Sequence, residues 1–280
     1  MHPVIRTYYL SSLFILLVFT GCACQAQNSL LSHGFAHNDY WHRRPLYDAL
    51  DKGYVNIEAD IYLRKGQLIV AHLLPVFKKK NTLEQLYLKP LMEGIQGTNK
   101  KIPGVLAPLT LMIDIKSDAD KTYAELELLL QKYRSILSSY ENGKLIPRQV
   151  TIVITGHKPY RIMKAQAYRL AFIDEDLMQV EQDISSEGIY QTASCKYSRL
   201  LSWAGIGEIP RHEKERLTSY VAAAHQYGKK VRLWGSPENE LVWAELLACG
   251  VDLINTDKLE ELQNFLMAQQ RVFADTEGSK

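Results

Sequence analysis

From Leu30 onward the chain alternates short β-branched and apolar runs with longer amphipathic stretches, and this repeat constrains its fold more than any other feature. Strand–helix alternation is the signature of a parallel sheet built from crossover units. The spacing predicts strands over 34–37, 54–62, 109–116, 149–155, 169–173, 199–203, 230–234 and 251–255. It predicts helices over 45–52, 121–139, 213–227, 238–248 and 258–269, several closed by a glycine such as Gly53, Gly228 or Gly250. A short extra strand over 67–71 follows the Lys65-Gly66 turn. No Pro/Gly/Ser-rich linker or charge block divides the chain, and about 250 residues is the usual size of one (β/α)8 TIM barrel, the α/β architecture expected here. An open doubly wound sheet is the alternative, but no glycine-rich phosphate loop follows the first strand.

Arg6 precedes an apolar run over 8–20 that is too short and wrongly flanked for a membrane span, so residues 1–27 read as a secretory leader and 28–280 as the barrel. The leader contains Phe19-Thr20-Gly21-Cys22, which resembles the lipobox of bacterial lipoproteins. Acylated Cys22 would then tie an exported, periplasmic-side protein to a membrane; cleavage near Ala26-Gln27 would release it as an ordinary exported protein. Two cysteines remain, Cys195 and Cys249, open to one disulfide or, for Cys249 in its apolar stretch, to a buried thiol. A composition 46% hydrophobic and 23% charged excludes disorder, and a net charge of +2 excludes bulk attraction to nucleic acid.

In a barrel of this kind the functional face is the C-terminal end of the strands. The first predicted strand closes in Ala36-His37-Asn38-Asp39-Tyr40, the second in Glu58-Ala59-Asp60, the extra one in Ala71-His72 and the third in Asp114-Ile115-Lys116. Side chains alternate along a strand, so Glu58 and Asp60 enter the mouth together, as do Asp114 and Lys116, while Ile57, Ala59, Ile113 and Ile115 face the helices. Three crowded carboxylates repel unless something positive lies between them. A hard divalent cation, Mg²⁺ or Ca²⁺, is the simplest neutraliser; an ion-pair network with Lys116 or an arginine is the structural alternative. His37 and His72 are each unremarkable alone, but as a pair beside a carboxylate-bound cation they suit phosphodiester cleavage, one imidazole accepting a proton and the other giving one.

These residues resemble those of the glycerophosphodiester phosphodiesterase and phosphatidylinositol-specific phospholipase C superfamily of barrels, over essentially the whole mature chain. That pattern is a histidine ending the first strand, Glu-x-Asp ending the second, a histidine in the next hairpin, then an acidic residue and lysine on the third; His37, Glu58, Asp60, His72, Asp114 and Lys116 match it. The usual His-Arg-Gly reads His37-Asn38-Asp39 and the usual His-Asp reads His72-Leu73, so the phosphate-holding arginine is missing from its place. The run through Tyr40, with the motifs 230–235 and 250–257, is similar to a branch that includes fungal altered-inheritance-of-mitochondria proteins.

The resemblance implies a metal-dependent phosphoric diester hydrolase for a glycerophosphodiester-like or phospholipid-headgroup substrate. Glu58, Asp60 and Asp114 would hold Mg²⁺ or Ca²⁺, and His37 and His72 would divide the acid and base work. Lys116 would steady phosphoryl charge or bridge the acids, and Asn38 occupies the place of the absent arginine. Arg232 and Trp234 share a face of the seventh predicted strand, offering a replacement phosphate ligand and an aromatic wall, or else a surface cation and barrel filling. Trp203 is open to the same two readings, and His157 reads as a loop residue. The competing function is an exported barrel without turnover that binds a phosphorylated or sugar ligand, motivated by that missing arginine.

Overall fold

A computed structural model describes residues 31–72, 81–99, 102, 108–181 and 188–277. The leader, with Cys22 and its lipobox, lies outside the described residues. Eight parallel strands form a ring: β1 (Leu31–Ala36), β2 (Tyr54–Arg64), β3 (Leu109–Ile115), β4 (Val150–Gly156), β5 (Ala171–Asp176), β6 (Tyr190–Lys196), β7 (Lys230–Trp234) and β8 (Leu253–Thr256). Each pairs with the next, and β1 pairs with both β8 and β2, so the sheet closes without an edge. The helices are α1 (Tyr47–Asp51), α2 (Lys89–Ile95), α3 (Ala119–Gln131), α4 (Tyr160–Ala165), α5 (Arg211–Gln226), α6 (Glu240–Ala248) and α7 (Leu259–Glu277). The fold is therefore a (β/α)8 barrel, as expected from the repeat.

Outward residues of the strands, among them Ile57, Ile61, Leu111, Ile113 and Ile152, join Leu126, Leu130, Leu217 and Val221 of the helices in one buried layer. Inside the ring the packing changes character. Phe35, Met112, Val153 and Leu253 make a small apolar plug. The remaining interior is polar: Asp174 accepts hydrogen bonds from Thr155 (3.1 Å), Thr192 (2.6 Å) and Ser194 (2.7 Å), and Arg232 lies with its guanidinium 4.6 Å over the Phe35 ring. Burying Asp174 and Arg232 is tolerable because each is hydrogen-bonded there.

That polar interior explains the one misplaced strand. The sixth strand is Tyr190–Lys196, not residues 199–203. Its inward positions are Thr192 and Ser194 and its outward ones the small Ala193 and Cys195, so it lacks the bulky alternation that marks its neighbours. The apolar segment that imitates a strand begins in a single helical turn, Tyr197–Arg199, and buries Leu200, Leu201 and Trp203 beneath the loop to α5. Trp203 consequently does not end a strand at the mouth; its indole N–H donates to the Ile206 carbonyl at 3.0 Å.

The helix expected over 121–139 stops at Gln131. Beyond it, Ser139–Glu141 and Lys144–Ile146 form a hairpin around Asn142 (φ 50°) and Gly143 (φ 81°), the two left-handed residues that a tight hairpin turn demands. The extra strand appears as Gln67–Val70, antiparallel to the extension of β2 across the Lys65-Gly66 turn. Cys195 and Cys249 are buried and unpaired.

The β1–α1 loop carries its own strain and its own brace. Leu46 has φ 69°, a conformation costly for a residue with a branched side chain. Fully buried Asp39 holds it, its carboxylate accepting from the Leu46 amide (2.6 Å) and the Tyr87 hydroxyl (2.9 Å). Burial pushes the Asp39 carboxyl up to about 6. A raised acid binds its proton more tightly folded than unfolded, so between the ordinary value of 3.8 and about 6 stability falls as pH rises. Asp39→Asn is expected to remove this slope, worth up to about 3 kcal/mol; denaturant unfolding of both proteins from pH 4 to 7 checks it, and parallel pH profiles would contradict it.

Candidate active site

His37 directly follows β1, its amide bonded to the Thr256 carbonyl of β8 at 3.0 Å. Its Nδ1 lies 2.7 Å from Asp257 Oδ1 just beyond β8, which leaves Nε2 turned toward Glu58 Oε2 at 3.4 Å. Burial opposes protonation of this imidazole, but the Asp257 hydrogen bond and the charges of Glu58 and Asp257 outweigh it and raise its pKa. The same hydrogen bond, with one from Asn38, holds Asp257 below the usual carboxylate range despite the cost of its burial. Asn38 adopts a left-handed conformation (φ 47°), which asparagine accepts more readily than most residues, and this aims its backbone N–H at Glu58 Oε2 at 3.1 Å.

Along β2, Glu58 and Asp60 point inward as the alternation requires, and the register sets Asp60 beside Asp114 of β3. One carboxylate oxygen from each of Glu58, Asp60 and Asp114 lies within 4.8 Å of the others. Lys116 Nζ bonds Asp114 at 2.7 Å and approaches Asp60 at 3.4 Å. Burial pushes the Asp114 carboxyl up to about 6 in spite of Lys116. His72 completes the group, its Nδ1 3.0 Å from Asp60 Oδ2.

The structure thus brings His37, Asn38, Glu58, Asp60, His72, Asp114 and Lys116 to one side of one mouth. Arg232 takes a different place from the one expected of a phosphate ligand. It is 3% exposed, below the mouth, bonded to Ser194 (3.2 Å) and Asn255 (3.0 Å), with Glu58 and Asp174 at 3.8 and 3.7 Å. Its charge is thereby shared between Glu58 of the site and the polar interior around Asp174. Trp234, two residues on, is 42% exposed at the end of β7. His157 sits in the loop after β4, bonded to the Ser117 carbonyl.

Three site residues were not anticipated. The Tyr40 hydroxyl stands 2.7 Å from Asn38 Oδ1, 2.8 Å from Asp60 Oδ2 and 3.1 Å from His72 Nδ1, joining the β1 loop to the hairpin. Trp41 packs edge-on against the His72 ring, centroids 4.9 Å apart. Asp257 was detectable, because the parity of Leu253 and Asn255 carries an inward side chain to position 257.

The donor set fits a divalent cation. Among the described residues, Glu58, Asp60, Asp114 and Asp174 face two permanent cations, Lys116 and Arg232, beside the imidazoles of His37 and His72, so negative charge is in excess. All the clustered donors are oxygens, the ligands hard cations prefer. Asp114 Oδ1 is moreover buried with no hydrogen-bond partner, an expense that a bound cation or water would relieve. Gly156, ending β4 at φ 71°, leaves room for that oxygen: a Cβ there would overlap Asp114 Oδ1 and come within 2.7 Å of the Ile115 carbonyl. Gly156→Ala is expected to cost about 1–3 kcal/mol and to weaken cation binding, read as a lower melting temperature and a smaller metal-induced shift; unchanged values of both would show that Asp114 has slack.

Comparisons with known proteins agree with this fold. Residues 27–174 match the AIM6-like phosphodiesterase domain, and residues 230–260 match the glycerophosphoryl diester phosphodiesterase family. An altered inheritance of mitochondria protein 6 homolog from Arthroderma benhamiae is 30% identical, the match covering 82% of each chain. The altered inheritance of mitochondria protein 6 of Eremothecium gossypii is 28% identical over 84% of this chain and 70% of its own. The crystal structure of a glycerophosphodiester phosphodiesterase from Parabacteroides distasonis shares the fold at a TM-score of 0.51 and 16% identity, covering 86% of this chain and 99% of that one. With a domain match over half its length and relatives aligned along most of it, the chain belongs to the AIM6-like phosphodiesterase family.

Proposed function

We propose that the protein hydrolyses a glycerophosphodiester-like or phospholipid-headgroup diester with a divalent cation, Mg²⁺ or Ca²⁺, and histidine acid–base catalysis. The observation that carries this reading is the convergence of two imidazoles and three carboxylates on one mouth. Glu58, Asp60 and Asp114 would hold the cation, which when bound supplies positive charge for a nonbridging phosphate oxygen.

The protein's own residues do the rest. Asp257 engages Nδ1 of His37, and Asp60 with Tyr40 engages Nδ1 of His72, so each ring keeps Nε2 as its proton-exchanging atom. One Nε2 accepts the proton of the attacking hydroxyl, from water or from a neighbouring group of the substrate, as its oxygen bonds to phosphorus. The other Nε2 gives a proton to the ester oxygen that departs. Lys116 holds Asp60 and Asp114 together and presents its charge to the phosphoryl group. In this reading residues 1–27 direct export and Cys22, if acylated, anchors the barrel to a membrane. A panel of phosphodiesters with and without Mg²⁺ and Ca²⁺ tests the function: metal-dependent release of a phosphomonoester is expected, whereas binding without any turnover would favour a non-catalytic ligand-binding barrel.

A further inference from the structure

Among the described residues, Lys116, Arg232 and Arg199 each already face a carboxylate. Lys116 is paired with Asp114 and Asp60, Arg232 is buried beside Glu58 and Asp174, and Arg199 is bonded to Asp176 at 2.9 Å. Lys196 differs. It is the last residue of β6, two positions beyond Ser194, whose side chain points into the barrel toward Asp174 and Arg232. Strand parity therefore turns Lys196 to the same inner side, at the open end. Its register partner on β7 is Trp234, and the Lys196 ammonium lies 5.8 Å from the centre of that exposed indole. Among the described residues it has no carboxylate within ion-pair distance. In an eight-stranded ring β6 stands across the axis from β2, which carries Glu58 and Asp60.

We propose that Lys196 and Trp234 form a subsite for the second alcohol arm of the diester, favouring an arm with negative charge and rejecting a quaternary ammonium arm. The inference rests on the phosphodiesterase reading above. A bare tryptophan face would attract a quaternary ammonium group. Here the lysine already holds the ring's electron-rich face, so an incoming cation meets like charge, while a carboxylate or phosphate gains an unpaired ammonium in a half-open site. The indole still offers flat apolar area to the carbon skeleton of the arm.

A set of diesters sharing a glycerol arm and differing in the other arm (trimethylammonioethyl, hydroxyethyl or carboxyethyl) separates the possibilities. Binding is measured by calorimetry, and kcat/KM by glycerol phosphate release with Mg²⁺. The expected order is carboxyethyl tightest and trimethylammonioethyl weakest. Lys196→Met should weaken the first and strengthen the last by about three- to fivefold each, the size of a partly exposed ion pair. Lys196→Arg should restore the order, and added salt should compress it. Turnover with no charge order, or an order that Lys196→Met leaves intact, overturns the subsite while sparing the hydrolase reading. Charge-ordered binding without turnover would instead support the subsite and sink the hydrolase reading, and no binding of any diester would overturn both.

Discussion

Replacing His37 with alanine is expected to lower kcat on a glycerophosphodiester by about 10²–10⁴-fold, the usual contribution of a positioned general acid or base. The imidazole is aligned by Asp257 at 2.7 Å on one nitrogen and faces Glu58 at 3.4 Å with the other, so its loss removes a proton carrier and not a pillar of the fold. His72→Ala should fall in the same range, since that ring is likewise fixed through Nδ1 by Asp60 and Tyr40 and steadied by Trp41. The double variant should lose little more than the worse single one if the two rings serve one concerted step. Steady-state kinetics on purified variants with unchanged melting temperatures provide the measurement. Turnover unchanged in both single variants would remove the catalytic assignment.

The second large effect concerns the acid cluster. Asp60→Asn keeps the size and an acceptor for Tyr40 but removes a charge from a site where three carboxylates lie within 4.8 Å. Without metal, the variant should be as stable as the parent or slightly more so, because like-charge repulsion is relieved. With millimolar Mg²⁺ or Ca²⁺ the parent should gain stability by linkage and the variant should not, with affinity reduced by at least about 10–100-fold, since loss of even an outer-sphere partner costs that much. Thermal unfolding across a metal titration reads both effects. Equal metal-induced shifts in the two proteins would show that the cluster is an ion-pair network closed by Lys116 and Arg232.

The sequence was legible where a local rule and the fold agreed. Parity along β2 and β3 placed Glu58, Asp60, Asp114 and Lys116 correctly, because a strand's alternation survives whatever surrounds it. It also brought Arg232 to the inner face, but parity says nothing of depth, and the guanidinium stops short of the mouth among Ser194, Asn255 and Glu58. The sixth strand was missed for a related reason. Its Thr192 and Ser194 hydroxyls serve the buried Asp174, a demand created by strands distant in sequence and invisible in any short window. Asn142-Gly143, by contrast, was a plain hairpin signal three residues beyond the expected helix, and the apolar spacing before it carried that helix past its true end at Gln131. Tyr40 and Trp41 act through His72, some thirty residues on, a pairing that only the closed β1–β2 edge and its hairpin bring about.

The most direct test is hydrolysis of a glycerophosphodiester by the wild-type protein after exhaustive chelation and again after Mg²⁺ or Ca²⁺ is restored. Activity should vanish with the metal and return with it, while a protein carrying Asp60→Asn stays inactive throughout. A full rate in excess chelator would contradict the claim that Glu58, Asp60 and Asp114 gather around a cation in order to cleave a phosphodiester.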